Sequence, residues 1–261
     1  MSDDKVLYTV DNRVAVVTLN RADRLNAMDA DVFRLLTEHG RRAAADPKVR
    51  AVLVRGEGRS FSSGLDISLF GKQASEGGVP QIDIGALQRA FTVYEECPKP
   101  TVAALHGHVL GGALQLAIAC DLRIAATDAV LSAAEVRWGI IPDLGATQRL
   151  PRLIGLGRAK EMVLTGRNVT AEEADRWGLV NRTCEPASLR DEAMALAASL
   201  AAGPPLALEA AKRLTGSALD RSVADGLNRE AEAQRTLLAS ADFREAVTAG
   251  FEKRAPAYQG R

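Results

Sequence analysis

The stretch from residue 106 to residue 121, HGHVLGGALQLAIACD, constrains the fold of this chain more than any other segment. Its first part is typical of a strand, and Gly111 and Gly112 stand where that strand gives way to a short apolar helix. Helix formers occupy every face of this helix, which predicts that it is wholly buried. Gln115 is the polar residue that interrupts it. The rest of the chain is organised around this strand, glycine turn and buried helix.

The glycine pair has two interpretations. Glycine has no side chain and lets a ligand approach the backbone, and the first N–H groups of a helix have no intrahelical partner and carry the positive end of its dipole. A negative oxygen that develops there during a reaction would be stabilised. The alternative is that Gly111 and Gly112 form a packing turn ahead of a buried helix, and the two glycines alone do not decide between these readings.

Composition and charge argue against several classes of protein. The chain has 33 Lys and Arg against 33 Asp and Glu, without a basic cluster, so we expect no nucleic-acid partner. No apolar run approaches ~20 residues, and the N-terminus lacks the apolar core of a signal peptide, so we expect no membrane span. Cys97, Cys120 and Cys184 are scattered without metal-ligand spacing, which suits reduced thiols. These features together predict a cytoplasmic protein without a metal site.

Strands and helices alternate through the first third of the chain, which predicts the α/β class. Residues 5–10 and 13–19 are typical of two strands joined in a hairpin. Asp29 is typical of the cap of a helix that runs to about Ala45, and residues 51–54 are typical of a buried strand. A glycine-bearing loop from Gly71 to Pro80 precedes a helix over residues 84–97. The glycine spacing fits neither a dinucleotide fingerprint nor a phosphate-binding loop with its lysine.

Two carboxylates lie eight residues apart after the next strand. Gly139 and Pro142 between them rule out one continuous helix, so the chain can fold back and bring Glu135 and Asp143 to one cavity. The alternative is that Glu135 caps or pairs and that Asp143 caps a helix that begins at Ala146.

The last part of the sequence is helical, with a capping box at Thr170 and alanine-rich segments after it. Alanine-rich faces suit close packing or a partner subunit. We therefore divide the chain into a core over residues 1–195 and a helical oligomerisation region over residues 196–261.

Several segments together resemble the crotonase, or enoyl-CoA hydratase/isomerase, superfamily, and the resemblance covers nearly the whole chain. It implies a spiral of ββα turns followed by a helical trimerisation region, and acyl-CoA thioesters as substrates. It also implies a homotrimer or a dimer of trimers, and no cofactor besides the coenzyme A that is part of the substrate. The segments that carry the resemblance are residues 20–28, 61–67, 106–121, 135–150 and 251–254.

The resemblance also implies roles for individual residues. The backbone N–H groups of Leu65 and Gly112 would form an oxyanion hole for the thioester oxygen, because proton removal beside the carbonyl gathers negative charge there. Phe251 and Lys253 would reach toward the nucleotide end of coenzyme A, from this subunit or a neighbour. Other positions implied to line the substrate pocket are Arg24, Leu25, Ala27, Ser63, Gly64, Asp66, Ile67, Gly111, Ala134 and Trp138.

At one catalytic position the chain departs from the family pattern. Hydratases of the family carry two glutamates, of which the second matches Glu135 and the first falls on Gln115. A glutamine amide neither takes up nor gives a proton at neutral pH. Asp143 matches an acid of dienoyl-CoA isomerases, which also have an aspartate at the position of Gln115, whereas simple enoyl isomerases need one glutamate. We therefore predict double-bond isomerisation of the Δ3-Δ2-enoyl-CoA or Δ3,5-Δ2,4-dienoyl-CoA type, in fatty-acid or related acyl-CoA metabolism. Glu135 would take the α-proton, and Glu135 or Asp143 would return a proton further along the chain. Hydration (a lyase reaction) and non-catalytic acyl-CoA binding are the alternatives.

Overall fold

The computed structural model describes residues 4–71, 77–79 and 81–261, so that residues 72–76 and 80 of the predicted loop lie outside the described residues. The described strands are β1 (Val6–Asp11), β2 (Val14–Leu19), β3 (Ala51–Gly56), β4 (Thr101–Leu105), β5 (His108–Leu110), β6 (Leu122–Ala126), β7 (Val130–Ser132), β8 (Val169–Thr170) and β9 (Arg182–Cys184). The larger sheet has the order β1-β2-β3-β4-β6-β9, with an antiparallel β1–β2 hairpin and parallel pairs beyond it. The smaller sheet has the order β5-β7-β8.

Helices surround these sheets. The described α-helices are α1 (Ala30–Ala45), α2 (Ile84–Glu95), α3 (Gly112–Ala117), α4 (Ala146–Ile154), α5 (Leu156–Thr165), α6 (Ala171–Trp177), α7 (Leu189–Ala201), α8 (Pro205–Gly216), α9 (Val223–Leu238) and α10 (Ala241–Glu252). Short 3-10 helices lie at Ala22–Arg24, Ile67–Phe70, Ala134–Trp138, Pro186–Ser188 and Ala218–Asp220. This architecture confirms the predicted α/β class.

The central strands are buried on both faces, because helices cover the larger sheet from two sides. Alternate side chains of β2 go to different cores: Ala15 and Val17 join the one that contains α3, and Val14 and Val16 join the one against α7. On α7 the buried residues recur every four positions, which is the spacing of one helical face. The core that contains α3 is the one that supports the site described below.

Most predicted elements are present within a few residues of their expected bounds. Asp29 caps α1 through a 3.0 Å hydrogen bond from the Val32 N–H, and Thr170 and Glu173 form the predicted capping box of α6. All residues of α3 are buried, as its apolar faces predict. The predicted helix from Gly155 instead begins at Leu156, because Gly155 has a φ of 78° and separates α4 from α5.

The C-terminal helices bury little of their surface within one chain. Neither α8 nor α9 contains a buried residue, and α10 buries only Asp242 and Ala249. Lys212 on α8 nevertheless ties this region to the core, because its ammonium lies 2.8 Å from a carboxylate oxygen of Asp121 and donates to the Tyr94 and Lys99 carbonyls.

Within the described ranges, no single helix has the length and apolar composition needed to cross a membrane. One pair of helical segments, Pro186–Ala201 and Pro205–Gly216, passes that test only when taken together, and it is bent by 106°.

Candidate active site

Glu135 occupies the centre of the site. It lies in the 3-10 helix Ala134–Trp138, directly after β7, and is only 4% exposed. Burying a carboxylate is unfavourable unless hydrogen bonds or a function compensate for it. Burial raises the pKa of Glu135, the nearby charge of Asp143 adds to the rise, and a hydrogen bond from Gln115 opposes it. A carboxylate in this state is a stronger base than an exposed one, which suits proton abstraction.

Gln115 fixes one oxygen of Glu135. Its Nε2 donates to Glu135 Oε1 across 2.7 Å. Its Oε1 accepts hydrogen bonds from the backbone N–H groups of Leu144 at 2.8 Å and Ala146 at 3.0 Å. The two backbone donors define which end of the amide is oxygen, so the N–H end must face Glu135.

The other oxygen of Glu135 remains available for chemistry. Glu135 Oε2 is buried and has no hydrogen-bond partner among the described residues. A buried polar atom without a partner costs free energy and points to a functional role. Gly111 lies against this carboxyl group, since a Cβ at Gly111 would come within 3.2 Å of Oε1. Gly111 also has φ 55° and ψ −121°, a backbone conformation that suits glycine.

Two backbone N–H groups face the same cavity as Glu135. The backbone of Met28 pairs with both neighbours of Leu65: its N–H donates to the Gly64 carbonyl, and its carbonyl accepts from the Asp66 N–H. Because N–H groups alternate in direction along an extended segment, the Leu65 N–H points away from Met28. Gly112 is the first residue of α3, where an N–H has no intrahelical acceptor. Within the described residues neither N–H donates a hydrogen bond to the protein. Both are therefore free to bind an oxygen of a ligand.

Gly64 holds these two N–H groups close together. Its φ is 96°, and a Cβ there would lie 2.6 Å from the Leu110 carbonyl oxygen and 3.5 Å from the Gly112 nitrogen. Only a residue without a side chain lets the 64–65 segment approach the start of α3 this closely. This is the physical reason for glycine at position 64, directly before Leu65 of the predicted oxyanion hole.

A cavity of about 440 Å³ connects these groups. Its size suits an acyl group with the adjoining thioester. Trp138 lies on its rim and is 71% exposed. Nine of its lining residues are site residues predicted from the sequence, namely Ser63, Gly64, Leu65, Ile67, Gly111, Gly112, Ala134, Glu135 and Trp138. Four others, Phe70, Leu110, Arg137 and Ile140, were not predicted.

Asp143 lies near this cavity without lining it. It is not the cap of the following helix, because the N-cap of α4 is Gly145 and no side chain caps it. The oxygen of Gln115 takes the place of such a cap by accepting from Ala146. Burial raises the pKa of Asp143. The capping alternative for Asp143 was thus wrong, because a side chain from a different helix supplies the acceptor.

Other predicted substrate residues lie away from the cavity in this chain. Arg24 and Leu25 belong to the 21–28 loop, in which Leu25 and Asn26 are both left-handed, with φ of 50° and 54°. The Asn26 side chain secures the loop by donating to the carbonyls of Glu57 and Ser60 at 2.8 Å. Such paired strain in non-glycine residues persists where the surroundings enforce it, often at ligand sites.

The remaining predicted positions divide into paired and exposed residues. Asp66 is held by Arg21 at 2.9 Å and by the Ser68 N–H, so its carboxylate shapes the loop rather than facing the cavity. Ala27 also contacts Arg21, through its carbonyl. Phe251 is 86% exposed, and Lys253 ends α10 at the surface. Phe251 and Lys253 lie outside the cavity formed by one chain.

Comparison with known proteins identifies the family. The family profile described as enoyl-CoA hydratase/isomerase matches residues 9–261. YngF of Bacillus subtilis, named for that same family, is 39% identical over 259 residues, covering 98% of this chain and 99% of its own length. A mitochondrial Δ(3,5)-Δ(2,4)-dienoyl-CoA isomerase of Dictyostelium discoideum is 33% identical over 256 residues, covering 94% of this chain and 87% of its own.

A solved structure shows the same fold. The crystal structure of an enoyl-CoA hydratase from Bacillus anthracis superimposes with a TM-score of 0.91 at 31% identity, covering 98% of this chain and all of the other. The chain therefore belongs to the enoyl-CoA hydratase/isomerase family, the crotonase superfamily, and acts on enoyl-CoA thioesters.

Proposed function

We propose that this chain isomerises the double bond of a 3-enoyl-CoA to give a 2-enoyl-CoA, with Glu135 as the acid–base group. The observation that carries the proposal is the state of Gln115. Its amide donates to Glu135 and accepts from two backbone N–H groups, and it has no proton to exchange at neutral pH. Among the described cavity residues, Glu135 is the single carboxylate.

The reaction needs one group to move one proton. Glu135 Oε2 removes a proton from C2 of the 3-enoyl-CoA, and the electrons delocalise over C2 to C4 and the thioester oxygen. The N–H groups of Leu65 and Gly112 stabilise the negative oxygen, each by about 3 kcal/mol as in other oxyanion holes. Protonated Glu135 then returns the proton to C4, which leaves the double bond between C2 and C3. Substrate and product have the same composition, so no water or cofactor is consumed.

The position of Asp143 favours a 3-enoyl over a 3,5-dienoyl substrate. Isomerisation of the diene returns a proton at C6, farther from the thioester, and a second acid in the cavity would serve that step. Asp143 does not line the cavity, and its backbone carbonyl accepts from Gln88 on α2. We therefore assign Asp143 an electrostatic influence on Glu135 and not a proton transfer to substrate.

Hydration is the second candidate, because hydratase names occur among the similar proteins. Hydration adds hydroxide at C3 and a proton at C2, and a pair of ionisable groups is suited to activating the water and supplying the proton. Gln115 can orient a water but cannot accept its proton. Isomerisation needs no such second ionisable group, so it fits this site better than hydration does.

The coenzyme A pocket and the oligomer form part of the same proposal. We assign Arg24, Leu25 and Ala27 to the pantetheine and nucleotide side of the site, next to the strained loop. The exposed faces of α8 and α9 support packing against further copies, as a homotrimer or a dimer of trimers. In such an assembly Phe251 and Lys253 would meet coenzyme A bound to a neighbouring subunit.

The test is a turnover assay with three thioesters: 3-hexenoyl-CoA, 3,5-octadienoyl-CoA and crotonyl-CoA. We expect conversion of 3-hexenoyl-CoA to the 2-enoyl product, and loss of nearly all of it in Glu135→Gln. Asp143→Asn is the matched carboxylate-to-amide control and should keep most of the activity. Hydration of crotonyl-CoA faster than isomerisation would overturn the proposal, and so would binding of all three thioesters without turnover.

A further inference from the structure

Arg137 gives the cavity a positive charge that the proposed reaction does not use. Among the described lining residues it is the one with a cationic side chain. It lies two residues after Glu135, in the same 3-10 helix. We propose that Arg137 binds a carboxylate at the far end of the acyl chain, so that the preferred substrates are coenzyme A monothioesters of dicarboxylic acids. This inference rests on the proposed function of the site and names its substrate class.

The charge of Arg137 is not neutralised by a carboxylate of the protein. Its Nη2 donates a long hydrogen bond of 3.3 Å to Asn168 Oδ1. Among the described residues, no carboxylate oxygen lies within 4 Å of a guanidinium nitrogen of Arg137. Arg167, close by in sequence to Asn168, shows the contrast, because it pairs with Glu161 at 2.6 Å and Glu173 at 3.0 Å. Arg137 thus keeps most of its hydrogen-bond donors free for a ligand.

The side chain of Arg137 is exposed, but its stem packs against the protein. A Cβ at Gly166 would lie 3.3 Å from Arg137 Cγ and 3.4 Å from its Nε, so the arginine stem rests on the backbone of Gly166. Gly166 is itself fixed by the Ser132 hydroxyl, which donates to its carbonyl at 2.7 Å. An arginine that is already ordered loses less entropy when it binds a carboxylate, and its planar fork matches the two oxygens.

The acyl group is the part of the substrate that would share the cavity with Arg137. Leu65, Gly112 and Glu135 place the thioester oxygen and the reacting carbons in the cavity that Arg137 also lines. Its volume of about 440 Å³ leaves no room for the pantetheine arm and the nucleotide as well. Trp138 and Ile140 add apolar surface for the methylene groups between the thioester and the carboxylate.

The test compares the binding of two saturated thioesters, adipoyl-CoA and hexanoyl-CoA, by isothermal titration calorimetry. Both have six acyl carbons, and neither has a double bond to move. We expect adipoyl-CoA to bind about fivefold more tightly at low ionic strength, which is the scale of a solvent-exposed ion pair, and the preference to shrink in high salt. Arg137→Gln should remove the preference and Arg137→Lys should keep part of it.

The control is Arg176→Gln, which removes an exposed arginine outside the cavity and should leave both dissociation constants unchanged. Equal affinity of the wild type for the two thioesters would overturn the inference. Equal weakening of both by Arg137→Gln would also overturn it, because Arg137 would then contact coenzyme A itself. Saturated thioesters need no turnover, so a failed isomerase assay beside a retained adipoyl preference would contradict the proposed reaction and not the role of Arg137.

Discussion

The Gln115 Nε2 atom lies 2.7 Å from Glu135 Oε1, and this hydrogen bond connects the buried helix α3 to the carboxylate of the site. The same side chain accepts from the backbone at Leu144 and Ala146, so it also holds the start of α4. One oxygen of Glu135 is thereby fixed, and Oε2 is left without a partner among the described residues. The site therefore has one oriented base, Glu135. A site with a second glutamate in place of Gln115 would have two ionisable groups.

Removal of the Gln115 amide should raise the pKa of Glu135, as seen in the pH dependence of kcat/KM. Burial is the main cause of the raised pKa of Glu135, and the hydrogen bond from Gln115 opposes it. In Gln115→Leu we expect the acidic limb of kcat/KM to move to higher pH, because the base loses a donor that stabilises its charged form. The variant also leaves the Leu144 and Ala146 N–H groups unpaired, which should cost about 2 kcal/mol of stability. An unchanged acidic limb would contradict the assigned contact.

Asp143→Asn should move the same limb in the opposite direction. The negative charge of Asp143 adds to the rise in the pKa of Glu135 that burial causes. With that charge gone, Glu135 ionises at lower pH and the activity persists further into acid. The pH dependence of kcat/KM checks this, with kcat at neutral pH expected to change little. A loss of turnover comparable to that of Glu135→Gln would mean that Asp143 transfers a proton to substrate.

Glu135→Gln should stabilise the fold while it removes activity. Because burial raises the pKa of Glu135, the folded protein releases this proton at a higher pH than the unfolded chain does. Ionised Glu135 therefore lowers the free energy of unfolding at any pH above its pKa in the folded protein. This destabilisation is absent at any pH below its pKa in the unfolded chain. We expect a melting temperature about 2–4 °C higher at neutral pH, if removal of the charge contributes about 1 kcal/mol. The gain should disappear near pH 4, and a lower melting temperature at neutral pH would contradict it.

Gln115→Glu should raise hydratase activity. A glutamate at position 115 keeps one oxygen as the acceptor for the N–H groups of Leu144 and Ala146. Its other oxygen replaces Nε2 and lies next to Glu135 Oε1. Two carboxyl groups this close share a proton, so one is an acid while the other is a base. We expect hydration of crotonyl-CoA to increase about 100-fold, which is the lower end of the 10²–10⁴-fold range of one acid–base group. Gln115→Met, which adds no ionisable group, is the control and should show no increase.

Gly64→Ala should disable the oxyanion hole. With φ at 96° and a Cβ 2.6 Å from the Leu110 carbonyl oxygen, alanine would force the 64–65 segment away from α3. We expect a loss of about 1–3 kcal/mol in unfolding free energy and a larger fall in kcat than in thioester affinity. Gly157→Ala is the matched control, since nothing lies within 4 Å of its Cβ position in helix α5. It should stabilise the protein by about 0.5–1 kcal/mol and leave kcat unchanged.

The sequence predicted the elements that carry their own local signals. The glycine turn at 111–112, the buried helix after it and the capping box at Thr170 all appear as expected. Leu65, Gly112, Glu135 and Trp138, which the sequence singled out as site residues, line one cavity.

What the sequence could not predict depends on contacts between distant segments. The role of Gln115 as the acceptor at the start of α4 joins residues about thirty positions apart, and no local pattern marks it. Asp143 follows a proline and precedes a helix, which is typical of a cap, yet that acceptor comes from α3 instead. Arg137 and Ile140 lie close to Trp138 in one short segment. The predicted place of Trp138 at the pocket was therefore the one signal in the sequence that these two neighbours line it as well.

The most direct test of the central claim identifies, by chromatography and mass spectrometry, the product that the purified protein and Glu135→Gln each form from 3-hexenoyl-CoA. Crotonyl-CoA is assayed beside it. We expect the wild type to form 2-hexenoyl-CoA, of the same mass as the substrate, as its first product, and we expect none from the variant. A 3-hydroxyacyl-CoA formed from crotonyl-CoA at a higher rate, with 3-hexenoyl-CoA left intact, would contradict it.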